Sequence, residues 1–140
     1  MTDRLSREKR SWNMSRIRSK DTSPEMRVRS YLHKAGFRFR LHEKSLPGRP
    51  DIVLPKYRTV IFVHGCFWHR HLGCKLAYMP KTRVEFWREK FRHNVERDRV
   101  KKDQLLESGW TVLTVWECMS KDDNKLREVL DCLFVNRVAH

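Results

Sequence analysis

Val60-Ile61-Phe62-Val63-His64-Gly65-Cys66-Phe67-Trp68-His69-Arg70-His71-Leu72-Gly73-Cys74 is the stretch on which the reading of the fold turns. Its first residues are apolar on both faces of an extended chain, as a strand inside a sheet requires. The rest gathers side chains that ligate metals or move protons, with the aromatic pair Phe67-Trp68 set among them. Nine residues before Val60 stands Asp51, in Gly48-Arg49-Pro50-Asp51. An acid on one strand and histidines at the end of the next point to a metal-dependent active site.

Working outward, Asp51 to Leu54 and Thr59 to Val63 read as adjacent antiparallel strands joined by Pro55-Lys56-Tyr57-Arg58. Upstream, Phe37, Phe39 and Leu41 alternate with Arg38, Arg40 and His42, the period of a half-buried strand. Before it, Thr22-Ser23-Pro24-Glu25 opens a helix: Thr22 is the N-cap, Glu25 its capping-box partner, and Pro24 is tolerated in the first turn. Val28, Tyr31, Leu32 and Ala35 follow at helical spacing, and Gly36 is the stop. Downstream, Cys66 to Lys81 is a loop, and a helix runs from about Arg83 to Ser108 with Val84, Trp87, Phe91 and Val95 on its inner face. Trp110 to Trp116 is an interior strand, reached by a helix-length return that permits a parallel crossover. Residues 122–135 form a last helix. The sum is one α/β domain over residues 21–140, a mixed central sheet flanked by helices, preceded by a basic arm of residues 1–20. The arm carries Trp12, Met14 and Ile17, spaced apolar groups that either dock on DNA or cap the core.

The chain has 31 Lys and Arg against 17 Asp and Glu, a net charge of +14, with the excess concentrated toward the N-terminus. Such a surface is the footprint of a phosphate-backbone binder. No stretch approaches the roughly 20 apolar residues of a membrane span, and Met1 to Lys20 lacks the apolar core of a signal peptide. The protein is therefore expected inside the cell, with Cys66, Cys74, Cys118 and Cys132 as thiols or metal ligands rather than disulfides.

Four constellations carry chemistry. Cys66, His71 and Cys74 supply thiolate, imidazole and thiolate from one loop, a set that suits tetrahedral zinc; Cys118, after the strand ending at Trp116, is the candidate fourth ligand that would close the site. The alternative is free cysteines beside surface histidines, and Cys132 reads as a core thiol. Asp51 is placed to bind Mg²⁺ with phosphate and water, or simply to make the turn after Pro50, while His64 holds water or phosphate or is a hydrogen-bonded strand-end histidine. Asp98 continues the inner face of the long helix, so it needs a partner; His69, which it would orient as a general base, and a neighbouring Arg97 or Arg99 are the two candidates. Phe67 and Trp68 either pack beneath the loop or form a wedge that enters a base stack. Glu25 closes the capping box or approaches the metal site.

Leu46-Pro47-Gly48-Arg49-Pro50-Asp51, Val60 to His69, Asn94-Val95-Glu96-Arg97-Asp98 and Val115-Trp116-Glu117-Cys118, in that order and spacing, resemble the very short patch repair (Vsr) DNA mismatch endonucleases. Thr82-Arg83, Glu85-Phe86-Trp87 and Gly109-Trp110 extend the resemblance. It implies a restriction-endonuclease-like fold and a monomeric enzyme that nicks double-stranded DNA 5′ to the thymine of a T·G mismatch left by deaminated 5-methylcytosine. It implies Mg²⁺ on Asp51 and on the Val63 backbone carbonyl, His64 and Glu25 engaging water at that metal, His69 as general base and Asp98 as its partner. It further implies structural Zn²⁺ on Cys66, His71, Cys74 and Cys118, insertion of Phe67 and Trp68 beside the mismatch, and insertion of Met14 from the other groove. Repair-pathway proteins are candidate further partners, and a nucleoid-associated place in a bacterial cytoplasm is the expected location. Related nucleases place Glu-x-Lys where Phe62-Val63-His64 stands here; the zinc loop, His71-Leu72-Gly73-Cys74, is one residue longer than the His-x-Cys of a family member; and Val63 replaces a threonine. Two other functions fit the same residues: a restriction-like endonuclease on matched DNA, and a zinc-stabilised DNA-binding module without catalysis.

Overall fold

The computed structural model describes residues 22–139, with side chains through Val135. The expected arm and Met14 lie outside the described residues. Helix α1 (Ser23–Lys34) starts where its cap requires, with the Glu25 N–H donating to the Thr22 hydroxyl at 3.4 Å. It ends at Gly36, whose φ of +87° lets the chain turn back so that the Phe37 N–H reaches the Leu32 carbonyl.

Four strands make one mixed sheet in the order β1-β2-β3-β4: β1 (Arg40–Leu41), β2 (Ile52–Leu54), β3 (Thr59–His64) and β4 (Thr111–Trp116). The first three are antiparallel neighbours, and β4 returns parallel to β3 after helix α2 (Val84–Glu107). Alternation along the strands sends side chains to two faces. On one, Ile52, Leu54, Ile61 and Val115 meet Val28 and Leu32 of α1 and Leu126, Leu130 and Leu133 from helices α3 (Asp123–Val129) and α4 (Asp131–Ala139). On the other, Val53, Val60 and Phe62 pack with Leu105 of α2. Fully burying each such residue is worth about 1.5–3 kcal/mol, so the sheet is held from both sides.

Four expectations need correction. The strand over residues 37–41 shrinks to Arg40–Leu41, because its partner β2 has three residues before Pro55 diverts it; Phe37 instead enters the core, edge-on to Tyr57 and Phe134. Among the described residues strand β4 lies at the sheet edge rather than inside, its faces covered by α2 and α3. The last helix is two, broken at Leu130 (φ −95°, ψ 9°), which lets Leu126, Leu130 and Leu133 all reach the core. Along α2, Val95 is 46% exposed and Asn94 is buried, so the inner face reads Phe91, Asn94, Asp98, Lys101, Leu105.

The turn that delivers Asp51 to the sheet end is packed on α2. Gly48 has φ +73°, and a Cβ there would lie 2.7–2.8 Å from Cβ, Cγ and Cδ of Lys101. Gly48→Ala is expected to lower stability by about 1–3 kcal/mol, from the left-handed backbone and the crowded lysine stem together. Thermal melting checks this, and an unchanged melting temperature would show that the turn does not depend on that packing.

Candidate active site and metal centre

At the C-terminal end of β3 the sheet opens into a cleft of about 740 Å³ whose walls come from α1, the 42–51 segment, the 65–78 loop and α2. Two groups of proton-handling side chains face it, and a third cluster braces the loop from behind.

The first group is Glu25, His42 and Asp51, whose ligand atoms lie within 4.8 Å of one another. Asp51 Oδ2 accepts the Val63 N–H at 2.7 Å. Pro50 and Asp51 precede Ile52, where the β2–β3 ladder begins (Ile52↔Ile61), so Val63 lies beyond the ladder on that side and its N–H is available to the carboxylate. Burial pushes the Asp51 carboxyl up to about 6; the Val63 N–H opposes this and the charge of Glu25 adds to it. Glu25 is 2% exposed, and its carboxylate is shared by Arg29 and by His42 Nε2, the latter at 2.9 Å. Its N–H is capped by the Thr22 hydroxyl, while its carboxylate turns to Arg29 and His42 at the cleft, away from the capping-box role expected of it. His42 was not singled out by sequence, where it sits on the polar side of an alternating strand. At φ +48° it leaves that strand, its N–H donating to the Asp51 carbonyl at 3.1 Å, and its ring turns to Glu25. Strain of this kind collects at functional sites.

The second group is His64, His69 and Asp98. His69 Nδ1 donates to Asp98 Oδ2 at 2.6 Å, and the His69 ring stacks on His64 with centroids 3.9 Å apart at 5°. Asp98 thus pairs with the histidine; Arg99 pairs with Glu96 and Asp103 instead. Burial first, then the charge of His69, lowers His64 to about 3, so it is neutral at physiological pH. Asp51 and His64, considered together in the sequence, line the same cleft but fall in different groups.

The third cluster is Cys66, His71, Cys74 and Cys118, again within 4.8 Å. His71 Nδ1 lies 3.6 Å from Cys66 Sγ and 3.4 Å from Cys118 Sγ. Gly73, at φ +72°, turns the loop between His71 and Cys74 and leaves Leu72 94% exposed. Burial pushes the Cys66 thiol up to about 12, while the Leu76 N–H leads the influences that lower Cys74. Trp116, at the end of β4, links the centres: His71 stacks on it at 4.3 Å and His64 meets it edge-on at 5.3 Å.

Phe67 and Trp68 pack together and against Trp87, with Phe67 also touching Tyr78 and Phe91. Trp68 is 8% exposed, yet both residues line the cleft. Three loop-fixing residues were given no role by the sequence, although Asn94 and Glu117 stand inside motifs quoted above. Asn94 Nδ2 donates to the Trp68 carbonyl at 3.1 Å, and Glu117 Oε1 accepts the Cys66 N–H at 3.2 Å. Arg70 donates to the carbonyls of Phe67, Ala77 and Tyr78 while lying 3.9 Å over the Phe91 ring. The partners of Asn94 and Glu117 lie 26 and 51 residues away, a relation that spacing along the chain does not encode.

The profile of one family, DNA mismatch endonuclease Vsr, matches residues 2–75. A type II nicking enzyme, V.XorIIP of Xanthomonas oryzae pv. oryzae, is 51% identical over 94% of this chain and 98% of its own length. The DNA mismatch endonuclease Vsr of Escherichia coli is 50% identical over 91% and 81%. The type II nicking enzyme V.NmeAIP of Neisseria meningitidis is 46% identical over 95% and 94%.

Proposed function

The chain belongs to the DNA mismatch endonuclease Vsr family and is a DNA endonuclease, and from that premise we propose that it nicks DNA 5′ to the thymine of a T·G mismatch arising from 5-methylcytosine deamination. The observation that carries this reading is an Asp98-oriented His69 sharing one cleft with the Asp51 and Glu25 carboxylates. The reaction is hydrolysis of a phosphodiester: a water oxygen bonds to phosphorus, the phosphorus–oxygen bond to the leaving sugar breaks, and its electron pair departs with that oxygen. With Nδ1 committed to Asp98, His69 takes the water proton at Nε2. Neutral His64, stacked on His69, holds water or a phosphate oxygen without competing for that proton.

Mg²⁺ fits Asp51 and the Val63 carbonyl. The buried carboxylate beside Glu25 is a charge that a hard cation would neutralise, and the Val63 N–H already donates to it, which brings that residue's backbone against Asp51. A Mg²⁺ held there by Asp51 would supply Lewis-acid polarisation of the scissile phosphate and offset charge on the reacting oxygens. Glu25, held by Arg29 and His42, positions water at this end of the cleft. Zinc fits Cys66, His71, Cys74 and Cys118. Tetrahedral Zn–N and Zn–S bonds of ordinary length put donors about 3.6 Å apart, close to the 3.4 and 3.6 Å separations found. Four protein ligands would leave no open position, so a zinc held by them would be structural and would brace the loop that carries His69.

Lys44, Arg49, Arg97 and Lys101 line the cleft and suit a phosphate backbone. Phe67 and Trp68 open away from Trp87 to enter the base stack, with Met14 of the basic arm inserting from the other groove. A mismatched step costs less to unstack, which contributes to selectivity. The mixed sheet between helices is of the restriction-endonuclease-like kind, and residues 21–140 act as one monomeric catalytic domain behind the arm of residues 1–20. No helix among the described residues is long and apolar enough to cross a membrane. The enzyme works in the cytoplasm at the nucleoid, in company with repair-pathway proteins.

A strand-resolved nicking assay with Mg²⁺ tests the reading, comparing duplexes that carry one T·G mismatch in randomised flanks with T·A counterparts. The expected product is a nick 5′ to the mismatched thymine and none in the matched duplex. Equal cutting of both would replace this reading with a restriction-like nuclease, and binding without cutting by folded, zinc-loaded protein would replace it with a binding module.

A further inference from the structure

The acidic floor of the cleft (Glu25, Asp51, Asp98) must receive a phosphate, and among the described residues no Lys or Arg of the sheet lines it. Strand β3 ends in Phe62-Val63-His64, and His64 is neutral. Of the four Lys and Arg side chains lining the cleft, Lys44, Arg49 and Arg97 are exposed and Lys101 alone is half-buried. Lys101 follows Asp98 by three residues on the inner face of α2, so the two emerge side by side. Its stem is pressed against Gly48, in the turn that leads to Asp51, which restricts where the ammonium can go. Among the described residues no carboxylate lies within ion-pair distance of it, and Asp98 is already engaged by His69. A pre-positioned, partly desolvated cation between the turn and the His69–Asp98 pair is the arrangement that stabilises developing phosphoryl charge.

We propose that Lys101 is a further catalytic residue, whose ammonium contacts a non-bridging oxygen of the scissile phosphate and stabilises the charge that builds there as water attacks. The inference rests on the endonuclease reading above. Single-turnover nicking of the T·G duplex and DNA affinity by fluorescence anisotropy are measured for Lys101→Met, which keeps the stem against Gly48 and removes the charge. The expected loss is about 10²-fold in nicking rate, with affinity within about threefold of the unmodified protein and an unchanged melting temperature. Lys101→Arg is expected to recover most of the rate by restoring the charge, whereas a purely structural role would leave Lys101→Met active. Lys101→Gln gives the same reading should the Met variant fold poorly. Nicking by folded Lys101→Met at nearly the normal rate, or a loss confined to affinity, would overturn the assignment. Asp51→Asn is the control: if it also nicks normally, the site reading itself fails, and if it is inactive while Lys101→Met is not, only Lys101 is wrongly assigned.

Discussion

Asp51→Asn is expected to give a protein that folds, binds mismatched DNA and does not nick it, with a rate loss of at least about 10³-fold, equivalent to several kcal/mol of transition-state stabilisation. The substitution keeps the side-chain shape and an oxygen for the Val63 N–H, so the sheet end is undisturbed. What it removes is the negative charge on which a cation depends. Burial has raised this carboxyl to about 6, so the metal-free folded state holds its proton between roughly pH 4 and 6, where the unfolded chain has released it. Folding stability from this group is therefore greatest below that window and falls as pH rises through it. At pH 7 the metal-free Asn variant should be more stable than the natural protein by about 1–3 kcal/mol, and at pH 4 the difference should vanish. The same proton must leave before a cation binds, so Mg²⁺ affinity and nicking should climb as pH rises through about 6. Denaturant melts at both pH values, alongside nicking rates, check these statements. An Asn variant that nicks normally would remove Asp51 from the chemistry, and one no more stable at pH 7 would mean its charge is not buried against the fold.

Cys118→Ser is expected to lose bound zinc and most of the melting stability of the loop end, about 3–5 kcal/mol. This is a fraction of the total binding energy of a structural zinc, because the sheet and helices still form a core. Cys118 comes from the turn after β4 and Cys66, His71 and Cys74 from the loop after β3, so the ion would tie two parallel strand ends together. Without it, the buried Cys66 retains its proton, and the loop carrying His69 loses its tie to the end of β4 while keeping the Asn94, Glu117, Arg70 and Asp98 bonds and the packing of Phe67 and Trp68 on Trp87. Nicking should fall with zinc content rather than with DNA affinity. Metal analysis and thermal melting of the variant decide the matter: unchanged zinc and an unchanged melt would show that Cys118 is not a ligand.

Much of this was legible along the chain because it rests on short-range pattern. The apolar run of β3, the Thr22 cap, the length of α2 and the ligand spacing of the loop are each properties of neighbouring residues. The His69–Asp98 pair was one of two options until α2 was seen to direct Asp98 toward the loop. The inner face of α2 was misread by one position, Val95 for Asn94, because hydropathy favours the valine. The asparagine is inside because the Trp68 carbonyl needs a donor there, a demand made by a residue distant in sequence.

The sequence by itself determined which side chains are present, the α/β order of elements and the family, since cap chemistry, period and motif spacing are local and discrete. Tertiary structure alone decided that His42 joins Glu25 and Asp51, that Trp116 spans the two centres, and that Lys101 is wedged by Gly48 at the cleft. Those are contacts between segments brought together by burial of the two sheet faces, and burial acts on the folded shape rather than on neighbours in the chain.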